Sequence, residues 1–399
     1  MRVYVHSVGI RCSLGGGLDS VWRNATAIER AAPSITDAYS PGRPTALYPA
    51  SYSAPDHSGA LEQSAPLLTR TVRMAADAIS TFQPDLERAK SRFGPNRIGL
   101  LVGTTVSGIP ECADGWAVRL RTGDFPQAFR VEIQAPGDPA LSLRRDLGID
   151  GITYGISTAC TSSGHALVSA ARLLRLGLCD AVVAGGVDVL CAFTVTGFQA
   201  LEASSPLPTL PSSLNRRGIN LGEGAAFFLL SREPGELPVH LAGYAATSDA
   251  HHISSPDPSG VGAEGAMRDA LSRAGLTPGD VDYINLHGTG TRQNDAMEHH
   301  AVARVFTDPT RYRASSTKAL TGHTLGAASA IEAALCVATL RDNPDGHIPP
   351  HHYDGVDDPE LSPLPLARPG DALGRQPHVA LSNSFAFGGS NLSLVFVRS

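Results

Sequence analysis

Cysteine is scarce and unpatterned in this chain. Its six residues (Cys12, Cys112, Cys160, Cys179, Cys191, Cys336) are scattered over 399 positions with no CxxC pair. A chain this long buries a sizeable core without cross-links, so the spacing argues against a disulfide scaffold and fits a reducing compartment. Long apolar runs are missing too. The best candidate is broken by Asp180 and Asp188, short of the roughly 18 residues that a membrane helix needs. The opening MRVYVHSVGI has no charged head followed by an apolar segment, so no secretory signal is evident. Nor is there an excess of positive charge. Lys and Arg total 32 against 38 Asp and Glu, a net −6, which excludes a generally basic protein that coats nucleic acid. The expectation is a cytoplasmic protein with no nucleic-acid partner and no membrane insertion.

Several chemistries lack their signatures. The glycine run 15–17 in SLGGGLDSVW has neither the Lys-Ser/Thr of a P-loop nor a GxGxxG, and reads as a turn into a helix. The histidine pairs 251–252, 299–300 and 351–352 come with no HExxH and no Cys/His zinc spacing, so no metal ligand is assigned. GxSxG is absent, which argues against a serine hydrolase.

What the chain has is alternation. Short apolar runs punctuated by glycine alternate with stretches of helical periodicity, the signature of an α/β protein. Strands are expected at 3–8, 98–102, 181–184, 225–230, 239–245, 283–287, 379–383 and 392–397. Helices are expected at 68–82, 162–176, 262–274, 295–306 and 326–342. The Pro-rich polar stretches 51–64 and 347–371 read as loops. Each half of the chain carries short strands leading into a reactive turn, which suggests a duplication.

The chemistry concentrates in three places. In GITYGISTACTSSGHALVSAARLLRL (151–176) a strand-like segment gives way to small residues and then a helix, so Cys160 falls at the strand-to-helix turn. Free N–H groups and a partial positive charge at a helix start favour a thiolate nucleophile. His287 opens HGTGTRQND directly after the apolar YINL, and Lys318 and His323 lie in SSTKALTGHTLGAASAIE before an Ala-rich helix. A lone histidine is most often structural. Two on glycine-flanked turns, with a nucleophile-type cysteine elsewhere, match thiol catalysis.

With TACTSS, HGTGT, STKALTGHTLGAA and NSFAFGGSN in this order, the chain resembles the elongating β-ketoacyl-ACP synthases (ketosynthases) of the thiolase superfamily over essentially its whole length. The second histidine, in TGH, is similar to the Cys-His-His type rather than the Cys-His-Asn priming type. The resemblance implies a five-layered αβαβα fold of two similar halves, 1–235 and 236–399, dividing near 232–237. It implies that Cys160 holds an acyl group, that His287 and His323 stabilise the enolate formed when malonyl-ACP loses carbon dioxide, and that Lys318 with Glu332 orders His323. It also implies an oxyanion hole from the backbone N–H groups of Cys160 and Phe387, and a gate formed by Phe385, Ala386, Phe387 and Gly388 facing Phe198. Thr289 and Thr291 would contact pantetheine. Arg70 and Arg73, one turn apart, would receive acidic acyl carrier protein, with Arg119, Arg121 and Arg130 extending the patch.

No cofactor is implied beyond the phosphopantetheine of the carrier, although Asn285, Glu332 and Ser382 resemble positions around a structural monovalent cation. The partner is a second copy or a chain-length-factor-like subunit, paired through strand edges near 181–189. The wording at 248–258, 286–298 and 348–363 resembles most the stand-alone synthases of aryl polyene and polyketide-like clusters. Ala386 stands where the commonest relatives have glycine, and its methyl is expected to restrict the loop wherever φ is positive. Two rivals remain. A non-catalytic chain-length factor would lack the nucleophile, and a CoA-dependent thiolase would carry a second catalytic cysteine near its C-terminus.

Overall fold

The computed structural model describes residues 2–30, 32–52, 69–127 and 129–399; most of the 51–64 loop lies outside these. Ten strands carry the architecture, five from each half of the chain. They are β1 (Val3–Cys12), β2 (Ile98–Gly103), β3 (Thr153–Ile156), β4 (Ala181–Asp188) and β5 (Gly224–Ser231), then β6 (Val239–Ser248), β7 (Tyr283–Asn285), β8 (Arg313–Ser315), β9 (Val379–Ala386) and β10 (Ser390–Arg398). The first five pair in the order β3-β2-β4-β5-β1 and the second five in the order β8-β7-β9-β10-β6. Within each half the first two pairings are parallel and the last two antiparallel. Each strand thus has a counterpart five places on, in the same chain order. A short antiparallel pairing of Val3 and Tyr4 with Leu241 and His240 joins the two sheets into one ladder.

Six helices matter for the site: α1 (Arg70–Ser80), α2 (Ser162–Arg175), α3 (Ala192–Ala200), α4 (Val261–Ala274), α5 (Arg292–Val305) and α6 (Ala328–Leu340). The helix expected at 68–82 is α1. It begins where the Thr69 hydroxyl accepts from Val72 N (3.2 Å), a normal N-cap. All 13 residues of α6, ASAIEAALCVATL, are buried, and a helix apolar on every side belongs at the centre of a large protein. There it packs against α2, with one sheet on either side, while α1 and α4 cover the outer faces. This is the expected five-layered α/β fold. Among the described residues no helix is long and apolar enough to cross a membrane.

One expectation needs correcting. The apolar run at 181–189 forms β4, which lies between β2 and β5 with every residue buried. A strand apolar on both faces is an interior strand and offers no edge to a partner. Among the described residues the free edge of the first half is β3, flanked and occupied by the partly exposed Ile152 and Tyr154.

Candidate active site

The duplication brings the reactive turns together. α2 follows β3 and α6 follows β8, so Cys160 and His323 precede counterpart helices that pack against each other at the centre. Cys160 is held in a tight turn. Ala159 adopts φ 53, a left-handed conformation unusual for a residue with a side chain. The Ser162 hydroxyl donates to Ala159 O (2.6 Å) and accepts from Thr158 N (2.9 Å). From α6, the Ser329 hydroxyl donates to Cys160 O (2.9 Å). Two close approaches make room for this arrangement. A methyl on Gly103 of β2 would lie 2.4 Å from Ser163 N, and one on Gly186 of β4 would lie 2.5 Å from Ser163 Cβ.

Cys160 Sγ lies 2.9 Å from His323 Nε2. The ring of His287 stands edge-on to that of His323, with centroids 5.4 Å apart. All three groups are buried at the inner end of a cavity of about 540 Å³. Their ligand-type atoms lie within 4.8 Å of one another.

Burial sets the protonation states. It pushes the Cys160 thiol up to about 12, against the pull of the Lys318 charge and with smaller pushes from Glu332 and Asp188. The expectation of a resting thiolate poised by the helix start is therefore revised. Desolvation works against any pull from the helix start and favours the neutral thiol beside the imidazole. Both imidazoles are held well below the usual histidine range, first by burial and then by the Lys318 charge, to which His323 adds for His287. They are neutral near pH 7.

Lys318 corrects a second expectation. Its ammonium pairs with Glu332 and lies 3.3 Å from His287 Nδ1, so it orders His287 rather than His323. An ammonium has donors only. Nδ1 must therefore accept, the ring proton sits on Nε2, and His287 presents an N–H donor. Burial raises Glu332 to about 7, partly countered by Lys318. The backbone of His287 is fixed from α5, where Glu298 accepts from His287 N and Gly288 N, both at 2.7 Å. Glu298 went unassigned from sequence, although it lies 11 residues after His287 in the same motif. Asp188 was also missed. It accepts from Thr105 N (2.9 Å), Val106 N (3.0 Å) and Gly326 N (2.7 Å), tying the end of β4 to the turn after His323.

Phe385, Ala386 and Phe387 line the cavity with Cys160 and Phe198. Phe387 is 38% exposed and packs on Phe198 with ring centroids 5.7 Å apart. The expected strain at Ala386 is absent. Its backbone sits at φ −104, ψ 160, and the left-handed positions are Gly388 (φ 81) and Gly389 (φ 75). Thr289 and Thr291 share a hydrogen bond (3.1 Å) and line the same cavity. Arg70 is elsewhere engaged, donating to Glu223 (2.9 Å) and to Leu190 O (3.1 Å). It clamps α1 to the loop after β4 while its side chain stays 35% exposed, and Arg73 on the same helix also has a partner.

A duplicated mixed α/β fold with a cysteine beside two neutral imidazoles at its centre is the architecture of thiolase-fold acyltransferases. Comparison with known proteins gives the family. The Beta-ketoacyl synthase N-terminal domain matches residues 1–234 and its C-terminal domain residues 239–352, and the chain belongs to the β-ketoacyl synthases, a family of acyltransferases. Nodulation protein E of Rhizobium meliloti is 31% identical over 99% of this chain and 98% of its own length. The 3-oxoacyl-[acyl-carrier-protein] synthase 2 of the same organism (strain 1021) is 37% identical over 75% of this chain and 74% of its own. Among solved structures, the ketosynthase ApeO in complex with its chain length factor ApeC from Xenorhabdus doucetiae superposes with a TM-score of 0.84 at 34% identity. It covers 100% of this chain and 98% of that one. The ishigamide ketosynthase/chain length factor gives a TM-score of 0.86 at 26% identity, covering 100% and 99%.

Proposed function

We propose that the chain condenses an acyl group held on Cys160 with a malonyl group delivered by acyl carrier protein. The observation that carries this reading is the meeting of Cys160 Sγ, His323 Nε2 and the His287 ring, all buried, in the lining of one cavity. In the first half-reaction the thiol attacks the carrier-bound acyl thioester while its proton passes to His323 Nε2 and on to the departing carrier thiol. Backbone N–H groups of Cys160 and Phe387 would hold the transient oxyanion, each at roughly 3–4 kcal/mol. In the second, malonyl-ACP loses carbon dioxide. The electron pair passes to the thioester oxygen, which receives hydrogen bonds from Nε2–H of His287 and, once its ring proton has shifted from Nδ1 to Nε2, of His323. The enolate carbon then attacks the Cys160 acyl carbon, the C–S bond breaks to release the β-ketoacyl-ACP, and the Cys160 thiolate takes up a proton from solvent. Two neutral donors in a dry cleft stabilise that oxygen without a metal. Thr289 and Thr291 line the path of the pantetheine arm, and Phe198, Phe385, Ala386, Phe387 and Gly388 border the acyl end.

Asn285 Oδ1, Glu332 Oε2 and Ser382 Oγ are buried without a hydrogen-bond partner, and Asn285 and Ser382 are register neighbours on β7 and β9. Unpaired buried oxygens call for an explanation. These three suit a monovalent cation, which would offset charge on Glu332. Beyond this, no cofactor is assigned to the chain. We take its halves as 1–235 and 236–399, its location as cytoplasmic, and its assembly as a dimer paired along β3. A chain-length-factor partner on that edge is the second reading. It is favoured by the two ketosynthase–chain length factor structures that match over the whole chain. The wording at 248–258, 286–298 and 348–363 supports aryl polyene or polyketide-like elongation as the setting of this activity.

The test is intact-protein mass after exposure to a panel of alkyl- and aryl-polyenoyl-ACPs, alone and with a co-expressed chain-length-factor partner. An acyl adduct is expected on the wild type and none on Cys160→Ala. An adduct that survives in Cys160→Ala, or none from any donor in either format, would sink the reading.

A further inference from the structure

The outer end of the cavity carries charge that the reaction above does not use. Arg217 and Arg292 line the same cavity as Cys160. Both are exposed, whereas Cys160, His287 and His323 are buried, so the lining runs from a dry, neutral end to a wet, cationic one. Arg216 adds nothing to this rim, being buried and paired with Asp358, with Asp295 at 3.9 Å. The exposed Glu202 offsets one charge. Among the described residues neither Arg217 nor Arg292 forms an ion pair. Beside them Asn294, 8% exposed, lines the cavity with its Nδ2 buried and without a hydrogen-bond partner. A buried amide donor left unpaired points to an absent acceptor.

We propose that Arg217 and Arg292 bind the phosphate at the base of the carrier's pantetheine arm, with Asn294 donating to an oxygen of the arm. This rests on the condensing-enzyme reading and names a recognition element within it. The arginines line the cavity rather than a flat outer face, and a folded carrier cannot enter 540 Å³. The anion that reaches them therefore travels on the arm. An arm whose thioester lies at Cys160 brings its one fixed anion to the outer end, where guanidinium groups make charge-assisted bonds to phosphate oxygens.

The test compares hexanoyl-phosphopantetheine with hexanoyl-pantetheine as donors to Cys160, followed by mass. At low salt the phosphorylated donor should show about a tenfold higher kcat/KM, falling towards parity near 1 M NaCl, where exposed charges are screened beyond about 3 Å. In the double variant Arg217→Gln with Arg292→Gln the ratio should be close to one at any salt. Equal kcat/KM for the two donors in the wild type at low salt, or a preference that survives in the variant, overturns the phosphate assignment. Failure of both donors to acylate Cys160 would instead count against the condensing-enzyme reading.

Discussion

Lys318 is buried between two groups that need it for different reasons. Its ammonium neutralises Glu332 and fixes the tautomer of His287. Lys318→Met would leave a buried carboxylate unpaired, and breaking such a pair costs about 3–5 kcal/mol, to be read from urea denaturation. Adding Glu332→Leu should recover most of that stability, because two apolar groups of suitable volume replace a buried pair without a stranded charge. It should not recover malonyl-ACP decarboxylation, because nothing then directs the His287 proton to Nε2. The pH profile separates the roles further. With both imidazoles held neutral, decarboxylation by the wild type should be flat from pH 6 to 8. Removing the Lys318 charge raises both imidazole pKa values, so the acid limb moves up towards pH 6.5. An unchanged acid limb in Lys318→Met would show that this charge does not control the histidines. Cys160, the two histidines and Lys318 were legible because each stands beside glycine or small residues at an element end. Which histidine Lys318 serves was not, because that depends on how close α6 brings Glu332 to β7.

The elements explain why small residues surround Cys160. α2 runs so close to β2 and β4 that Gly103 and Gly186 meet its first turn with no room for a Cβ. Gly103→Ala should push that turn, and Cys160 with it. Overpacking of this kind costs about 1–3 kcal/mol, and a displacement near 1 Å lowers acylation by about 100-fold. Gly137→Ala is the control, since it faces open space at φ −80 and should change neither melting temperature nor acylation rate. Equal effects at the two positions would refute the packing argument. Ala386 teaches the reverse lesson. Its methyl suggested strain, but a residue at φ −104 accommodates any side chain, and the left-handed turn falls two and three residues later, at Gly388 and Gly389.

At the scale of the whole molecule the duplication makes the site. Two halves with the same strand order place one reactive turn each at the front of α2 and α6, and those helices pack together. Among the described residues the same topology leaves β3 as the unpaired edge of the first half, three residues ahead of Ala159 in the Cys160 turn. Exposed edges seek partners. Replacing Ile152 and Tyr154 by lysine is therefore expected to convert a dimer, or a heterodimer with a chain-length-factor subunit, to monomers in sedimentation. It should also slow acylation, because β3 runs into the Cys160 turn. Undiminished dimerisation would place the interface elsewhere.

Taken alone, the sequence determined the α/β class, most strands and central helices to within a few residues, and which cysteine and histidines meet in one cavity. These are local matters of periodicity, turn chemistry and motif, and they survive without knowledge of neighbours. Tertiary structure decided what depends on distance and on the solvent excluded. It made β4 an interior strand, set Glu298 behind the backbone of His287, and paired Arg70 with Glu223. It also made Cys160 a buried thiol beside His323 instead of a thiolate, because the desolvation of a charge is set by everything packed around it and by no single neighbour in the chain.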